Sequence, residues 1–152
     1  MSSRTSLTPE TFLRAGQRVF VGGSSNEPAG LLARLQAAEL PTDLHFLQFP
    51  NPAYNSTDFT ALNPTTQLST FFMTPALKQA PVERLHYLPM HMRRVFDYLR
   101  TDVDVALKQT VDAFSLDTRR PRWGHKAMVE LRNDSTRTAE HRIHKVRVWA
   151  QT

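Results

Sequence analysis

The sequence predicts an α/β domain, a mainly parallel sheet with helices on both faces, followed by an irregular basic tail. Three observations point there. The β-branched and aromatic run Val19-Phe20-Val21 stops at Gly22-Gly23 and gives way to an apolar period near 3.6, the opening half of a strand–turn–helix crossover. Strand-like runs at 44–49, 85–88 and 103–107 then alternate with short helical stretches. Apolar patterning fades near Gln109, where the basic residues begin to accumulate.

The chain has 152 residues, 40% of them hydrophobic and 22% charged, enough for one domain with a real core and short for two. It contains no cysteine, which removes disulfides, thiolate catalysis and Cys-ligated zinc together. No apolar run approaches the ~20 residues that span a bilayer, so no membrane partner is expected. Residues 1–10 are polar with no apolar centre, unlike a secretory signal, and a cytoplasmic location is the expectation. The net charge of +5 is unevenly placed. Residues 1–108 hold ten Lys/Arg against nine Asp/Glu, and residues 109–152 hold nine against five. A nearly neutral body gives no reason to expect nucleic acid as its partner.

In chain order, the first strand leads to a turn in which Asn26 or Glu27 can cap a helix, with Pro28 at its first position. Leu31, Leu32, Leu35 and Ala38 share one face of that helix, and Pro41 lies beyond its end. Leu44-His45-Phe46-Leu47-Gln48-Phe49 is a second strand, ended by Pro50-Asn51-Pro52. Pro, Asn, Thr and Ser then dominate to about Gln67, a long loop of the kind that is functional or mobile. Ser69-Thr70-Phe71-Phe72-Met73 is a short apolar segment, and Thr74 caps a brief helix from Pro75 to Gln79. Leu85-His86-Tyr87-Leu88 is a strand stopped by Pro89. Residues 90–99 form an amphipathic helix, with Val95, Phe96 and Leu99 set against Arg93, Arg94 and Arg100. Val103-Asp104-Val105-Ala106-Leu107 is the next strand, where Lys108 is out of place because a central parallel strand is apolar on both faces. The domain boundary is placed between 109 and 110. Beyond it, 117–122 is a charged, turn-like run, and Val146, Val148 and Ala150 alternate with Lys145 and Arg147 as a solvent-facing strand would.

The turn Gly22-Gly23-Ser24-Ser25-Asn26-Glu27-Pro28 is the sharpest candidate site. Glycine lets backbone approach a ligand closely, and a helix N-terminus offers unpaired N–H groups to an anion or oxyanion. The turn is not G-x-G-x-x-G, since Ser24 stands where the second glycine belongs, and no Gly-Lys-Ser/Thr follows. It is only loosely like a nucleophile elbow, because Asn26 replaces the final glycine. An ordinary tight turn with a cap explains the same residues as well on pattern alone. His86 and His91 flank a strand end, but five apart across a proline they match no ligand motif, and pocket wall or core is the better reading. His141 and His144 read as part of a solvated face. Arg119, Arg120 and Arg122, with Trp123 and His125, could grip phosphate and stack a base. Arginines in a polar linker are more often simply solvated.

Taken together, Val19-Phe20-Val21-Gly22-Gly23-Ser24-Ser25-Asn26-Glu27-Pro28 with Leu31-Leu32, then Thr70-Phe71-Phe72-Met73-Thr74-Pro75-Ala76-Leu77, His86-Tyr87-Leu88-Pro89 and Asp104-Val105-Ala106-Leu107, resemble in order the N-terminal domain of the acetyl-CoA hydrolase/transferase family of coenzyme A transferases. The resemblance covers about residues 12–109. It implies two α/β domains with the active site in the cleft between them. It also implies a ping-pong reaction in which a glutamate attacks the acyl-CoA thioester and a carboxylate or water resolves the intermediate. On that reading the substrates are an acyl-CoA and a small carboxylate, coenzyme A enters as a thioester substrate, and no cofactor is bound. Gly22, Gly23, Ser24 and Asn26 would contact the substrate or the thioester end, and Phe72, Met73, Tyr87 and Met90 would form pocket wall.

The sequence departs from that family in two places. The family's catalytic glutamate sits in the second domain, in a Glu-Gly or Glu-Asn-Gly context that does not occur here. Glu27, in the capping turn, is not assigned that role. Lys108 also interrupts the last strand, and 119–152 match nothing in the family, as a truncated or frame-disturbed product would. No catalytic residue and no metal ligand is assigned, and the chain alone is expected to be inactive. A second domain or partner chain, or self-association, is expected to complete it. The rival readings are a non-catalytic assembly module and nucleic-acid binding through the tail.

Overall fold

The computed structural model describes residues 8–111, 125–132 and 143–147. Its centre is a sheet of seven strands, β1 (Arg18–Val21), β2 (His45–Gln48), β3 (Gln67–Thr70), β4 (Leu85–Tyr87), β5 (Val105–Val111), β6 (His125–Arg132) and β7 (Ile143–Arg147), in the order β4-β3-β2-β1-β5-β6-β7. The first five are parallel and the last two antiparallel, so the expected α/β class with a mainly parallel sheet is observed.

A short helix, α1 (Pro9–Phe12), precedes β1 (Arg18–Val21), in which Val19 and Val21 are buried. The helix α2 (Ala29–Ala37) follows and buries Leu31, Leu32 and Leu35, the stripe that the 3.6 period predicts. Its cap differs from expectation. Pro28 occupies the cap position with no side-chain bond, because Asn26 closes a 3-10 turn over Ser24–Asn26 by donating its N–H to Gly23 O at 3.0 Å. The Glu27 carboxylate turns back towards β2 instead.

The strand β2 (His45–Gln48) pairs with β1 and with β3 (Gln67–Thr70), with Phe46 opposite both Val19 and Leu68. The connection between β2 and β3 is anchored. Its 3-10 turn, Phe59–Ala61, is capped by Asp58, which accepts the Thr60 N–H at 2.9 Å, and Phe59 is fully buried with its ring stacked on Phe46 at 4.9 Å. Arg84 closes the same region, donating to the carbonyls of Thr60 and Asn63. Thr74 stands at the cap of the Pro75–Gln79 3-10 turn as expected, without a side-chain bond. Then come β4 (Leu85–Tyr87), α3 (Met92–Asp102) and β5 (Val105–Val111).

Alternation along the strands separates two faces. Val19, Val21, Phe46, Leu68, Val105 and Leu107 join the α2 leucines in one core. Arg18, on the other face, donates to the hydroxyl of Tyr98 on α3, and Val95 of α3 is buried outside that core. The two long helices thus cover opposite faces. On α3, Phe96 is 59% exposed, not part of the buried stripe the sequence predicts.

Two expectations about the C-terminal part are corrected. Lys108 does not end its strand: β1 pairs with β5 only at Val105, Ala106 and Leu107, so from Lys108 onward β5 has outrun its parallel neighbour and is no longer central. Nor are the described parts of 110–152 irregular. β6 (His125–Arg132) pairs antiparallel with β5, and β7 (Ile143–Arg147) with β6. Arg119, Arg120, Arg122, Trp123, His141, Val148 and Ala150 lie outside the described residues. Among the described residues no helix is long and apolar enough to cross a membrane.

Candidate functional site

Strand order locates the place where a parallel sheet leaves room for a ligand. The chain steps outward from β1 through β2 and β3 to β4 and then returns to lay β5 on the other side of β1. The strand order reverses between β1 and β5, and such a switch point is where open α/β sheets bind ligands. The loop 22–27 begins there, with the Gly22 N–H donating to Leu107 O at 2.8 Å across the switch.

The two glycines are dictated by close approach. A Cβ on Gly22 would lie 2.6 Å from Asn26 O, and one on Gly23 only 1.8 Å from Phe49 O. Both obstacles are backbone, which no rotamer change relieves. Ser24 then takes φ +52°, left-handed for a residue with a side chain, a conformation that costs roughly 1–2 kcal/mol. Asn55 offsets it. Its Oδ1 accepts the Ser24 N–H at 2.8 Å and the Asn51 N–H at 2.7 Å, while its Nδ2 donates to Ser24 O at 3.3 Å and to Glu27 Oε2 at 2.9 Å. Gln48, the last residue of β2, donates to the same Glu27 Oε2 at 2.7 Å and to Gly22 O at 3.4 Å. Burial pushes the Glu27 carboxyl above its usual range, partly opposed by these two amide donors.

Of the residues singled out from the sequence, Gly22, Gly23, Ser24 and Asn26 come together here, with Ser24 and Asn26 exposed. Phe72 and Met73 follow β3 and are exposed as well. Phe72 packs edge-on against Phe49 at 4.9 Å, the residue whose carbonyl lies over Gly23, so it adjoins the loop through one aromatic ring. Tyr87 ends β4, the outermost strand, three strand spacings or about 14 Å from β1. Tyr87 is not brought to the glycine turn; Met90, partly buried, follows it by three residues. Sequence reasoning passed over Gln48 and Asn55. Gln48 carried a signal, as a polar residue closing an otherwise apolar strand; Asn55, one polar residue among many in its loop, carried none.

A second polar group lies on the α3 face. His45 contacts Ser69 Oγ through Nε2 at 2.7 Å and Arg18 Nη1 through Nδ1 at 3.3 Å. A guanidinium only donates, so Nδ1 accepts and Nε2 carries the proton given to Ser69. His45 therefore cannot take a proton from Ser69, and the pair is not a nucleophile with its base. Burial, with Arg18 and His86 nearby, lowers the His45 pKa to about 4. His86 itself is exposed and meets Gln67 Oε1 at 3.2 Å. Among the described residues no group of three or more His, Cys, Asp or Glu could hold a metal ion.

Compared with family models, with curated proteins and with solved structures, the chain matches none.

Proposed function

We propose that this chain forms one wall of a site for a coenzyme A thioester and a small carboxylate, in the manner of the N-terminal domain of an acetyl-CoA hydrolase/transferase. One observation carries the reading. A two-glycine turn that admits no side chain opens at the switch point of a parallel sheet, beside a left-handed serine and a half-buried carboxyl. Such a turn offers backbone and small polar groups to a carbonyl oxygen or carboxylate. Ser24 and Asn26 face the thioester end in this reading, and Phe72 and Met73 flank it through Phe49. Tyr87 and Met90 belong to the wall further along the sheet edge.

The nucleophile comes from a second domain or partner chain. Glu27 is not given that part: Gln48 and Asn55 donate to its Oε2 and tie the carboxylate to the turn. The exposed Phe72, Met73 and Tyr87 give the other half apolar surface to cover.

Calorimetric titration of the full chain with coenzyme A and with acetyl-CoA tests the proposal, together with assays of thioester hydrolysis and acyl transfer. Saturable binding without turnover is expected. Absence of binding at millimolar ligand refutes the reading. Turnover that survives repurification and is lost in Ser24→Ala reassigns the chain as a serine enzyme.

A further inference from the structure

The loop 22–27 has little to hold it from its own residues. Ser24, Ser25 and Asn26 are exposed, and no apolar side chain anchors the turn. Backbone bonds at Gly22 and Asn26 and the Gln48 amide hold its two ends, and its middle rests on a side chain 31 positions away. Asn55 binds both backbone groups of Ser24, the N–H through Oδ1 and the carbonyl through Nδ2, and reaches Glu27 with the same Nδ2. The Asn51 N–H takes the last place on Oδ1. Only 3% of Asn55 is exposed, and both donors and both acceptor sites are used. A buried carboxamide saturated in this way has no alternative orientation of similar energy, because a flip would oppose like groups at every contact.

We propose that Asn55 is a positioning residue for ligand binding: it holds Ser24 left-handed and Glu27 turned inward, so that binding does not have to order the loop. The ligand's identity rests on the thioester reading above; the holding of the loop does not. Preorganisation of this kind improves affinity by removing the entropy of ordering from the binding step.

The test compares the full chain with Asn55→Ala and Asn55→Asp, by hydrogen exchange at the Ser24 amide and by calorimetric titration with coenzyme A. Asn55→Asp keeps the shape and the two bonds to Oδ1. It replaces the donor Nδ2 with an oxygen that faces Ser24 O and the Glu27 carboxylate. Ser24 exchange is expected to quicken by about tenfold or more in both variants, and affinity to weaken by a similar factor. In Asn55→Asp both effects should recede as pH falls from 8 to 5, because one proton shared between the new carboxyl and Glu27 restores a hydrogen bond. A merely structural residue would lower thermal stability and leave the affinity of the folded chain for coenzyme A unchanged. Ser24 exchange unchanged in both variants, or a loss in Asn55→Asp that is the same at both pH values, overturns the proposal. Failure of the wild-type chain to bind coenzyme A falls on the thioester reading alone, and Ser24 exchange still decides whether Asn55 holds the loop.

Discussion

The carbonyl oxygen of Phe49 stands where a side chain on Gly23 would begin, 1.8 Å from the position of its Cβ. The exit of β2 therefore passes directly over the turn that leaves β1. Gly23→Ala must push two backbone segments apart at the carboxyl ends of adjacent strands. A loss of about 2–4 kcal/mol in denaturant unfolding is expected, in the range of overpacked and strained sites. Gly16→Ala is the control, since Gly16 has φ +76° and nothing within 4 Å of a new Cβ. It should cost only the left-handed strain, about 1–2 kcal/mol. Equal losses at the two positions would contradict the close approach.

Stability should rise with pH between about 4 and 6.5 through His45. Its folded pKa is lowered from 6.5 to about 4, so in that window the unfolded chain binds a proton that the folded chain refuses. Glu27 acts in the opposite sense. Its folded pKa is raised from 4.5, so just above 4.5 the folded chain holds the extra proton and stability falls as pH rises. The two slopes oppose each other. Urea unfolding across this range should therefore be flatter in His45→Gln and steeper in Glu27→Gln than in the wild type. A steeper slope in His45→Gln would show that the imidazole is not held neutral.

Most of the parallel part of this fold was legible because apolar runs and their stops report burial directly. Val19-Phe20-Val21 before two glycines, and Leu31, Leu32 and Leu35 after them, describe a strand and a helix that share one core. What local pattern does not report is register between distant elements. Lys108 looked like a defect because the sequence does not show that β1 accompanies β5 only as far as Leu107. Asn26 and Glu27 looked like caps because cap propensity is local, whereas Glu27 is claimed by Gln48 and Asn55, 21 and 28 positions away. The glycine turn was therefore readable and the amide groups that hold it were not.

Ser69→Ala should reduce stability without weakening coenzyme A binding. Ser69 is buried and accepts the Nε2–H of His45, so its removal leaves a half-buried donor unpaired at a cost of about 1–3 kcal/mol. Thermal unfolding would register the loss. A thioester-hydrolase activity that disappeared in Ser69→Ala, with stability unchanged, would instead make Ser69 a nucleophile and reverse the tautomer assigned to His45.

Concentration-dependent association is the outcome expected of the isolated chain. Phe72 is 47% exposed, Met92 51% and Phe96 59%, and Met73 and Tyr87 are similarly uncovered. Phe72 and Met73 follow β3, Tyr87 ends β4, and Met92 and Phe96 lie on the helix that comes next. Single exposed aromatics are ordinary on protein surfaces; an uncovered patch beyond about 400 Å² favours a partner. Sedimentation at several concentrations should show self-association that weakens in Phe72→Ser and in Phe96→Ser. Thermal stability should change little in Phe96→Ser, whose ring makes no aromatic contact among the described residues. It should fall modestly in Phe72→Ser, which loses the edge-on contact with Phe49. A monomer at high concentration, unaffected by either change, would mean that this edge is not waiting for a second half, and the site would have to be complete within the chain.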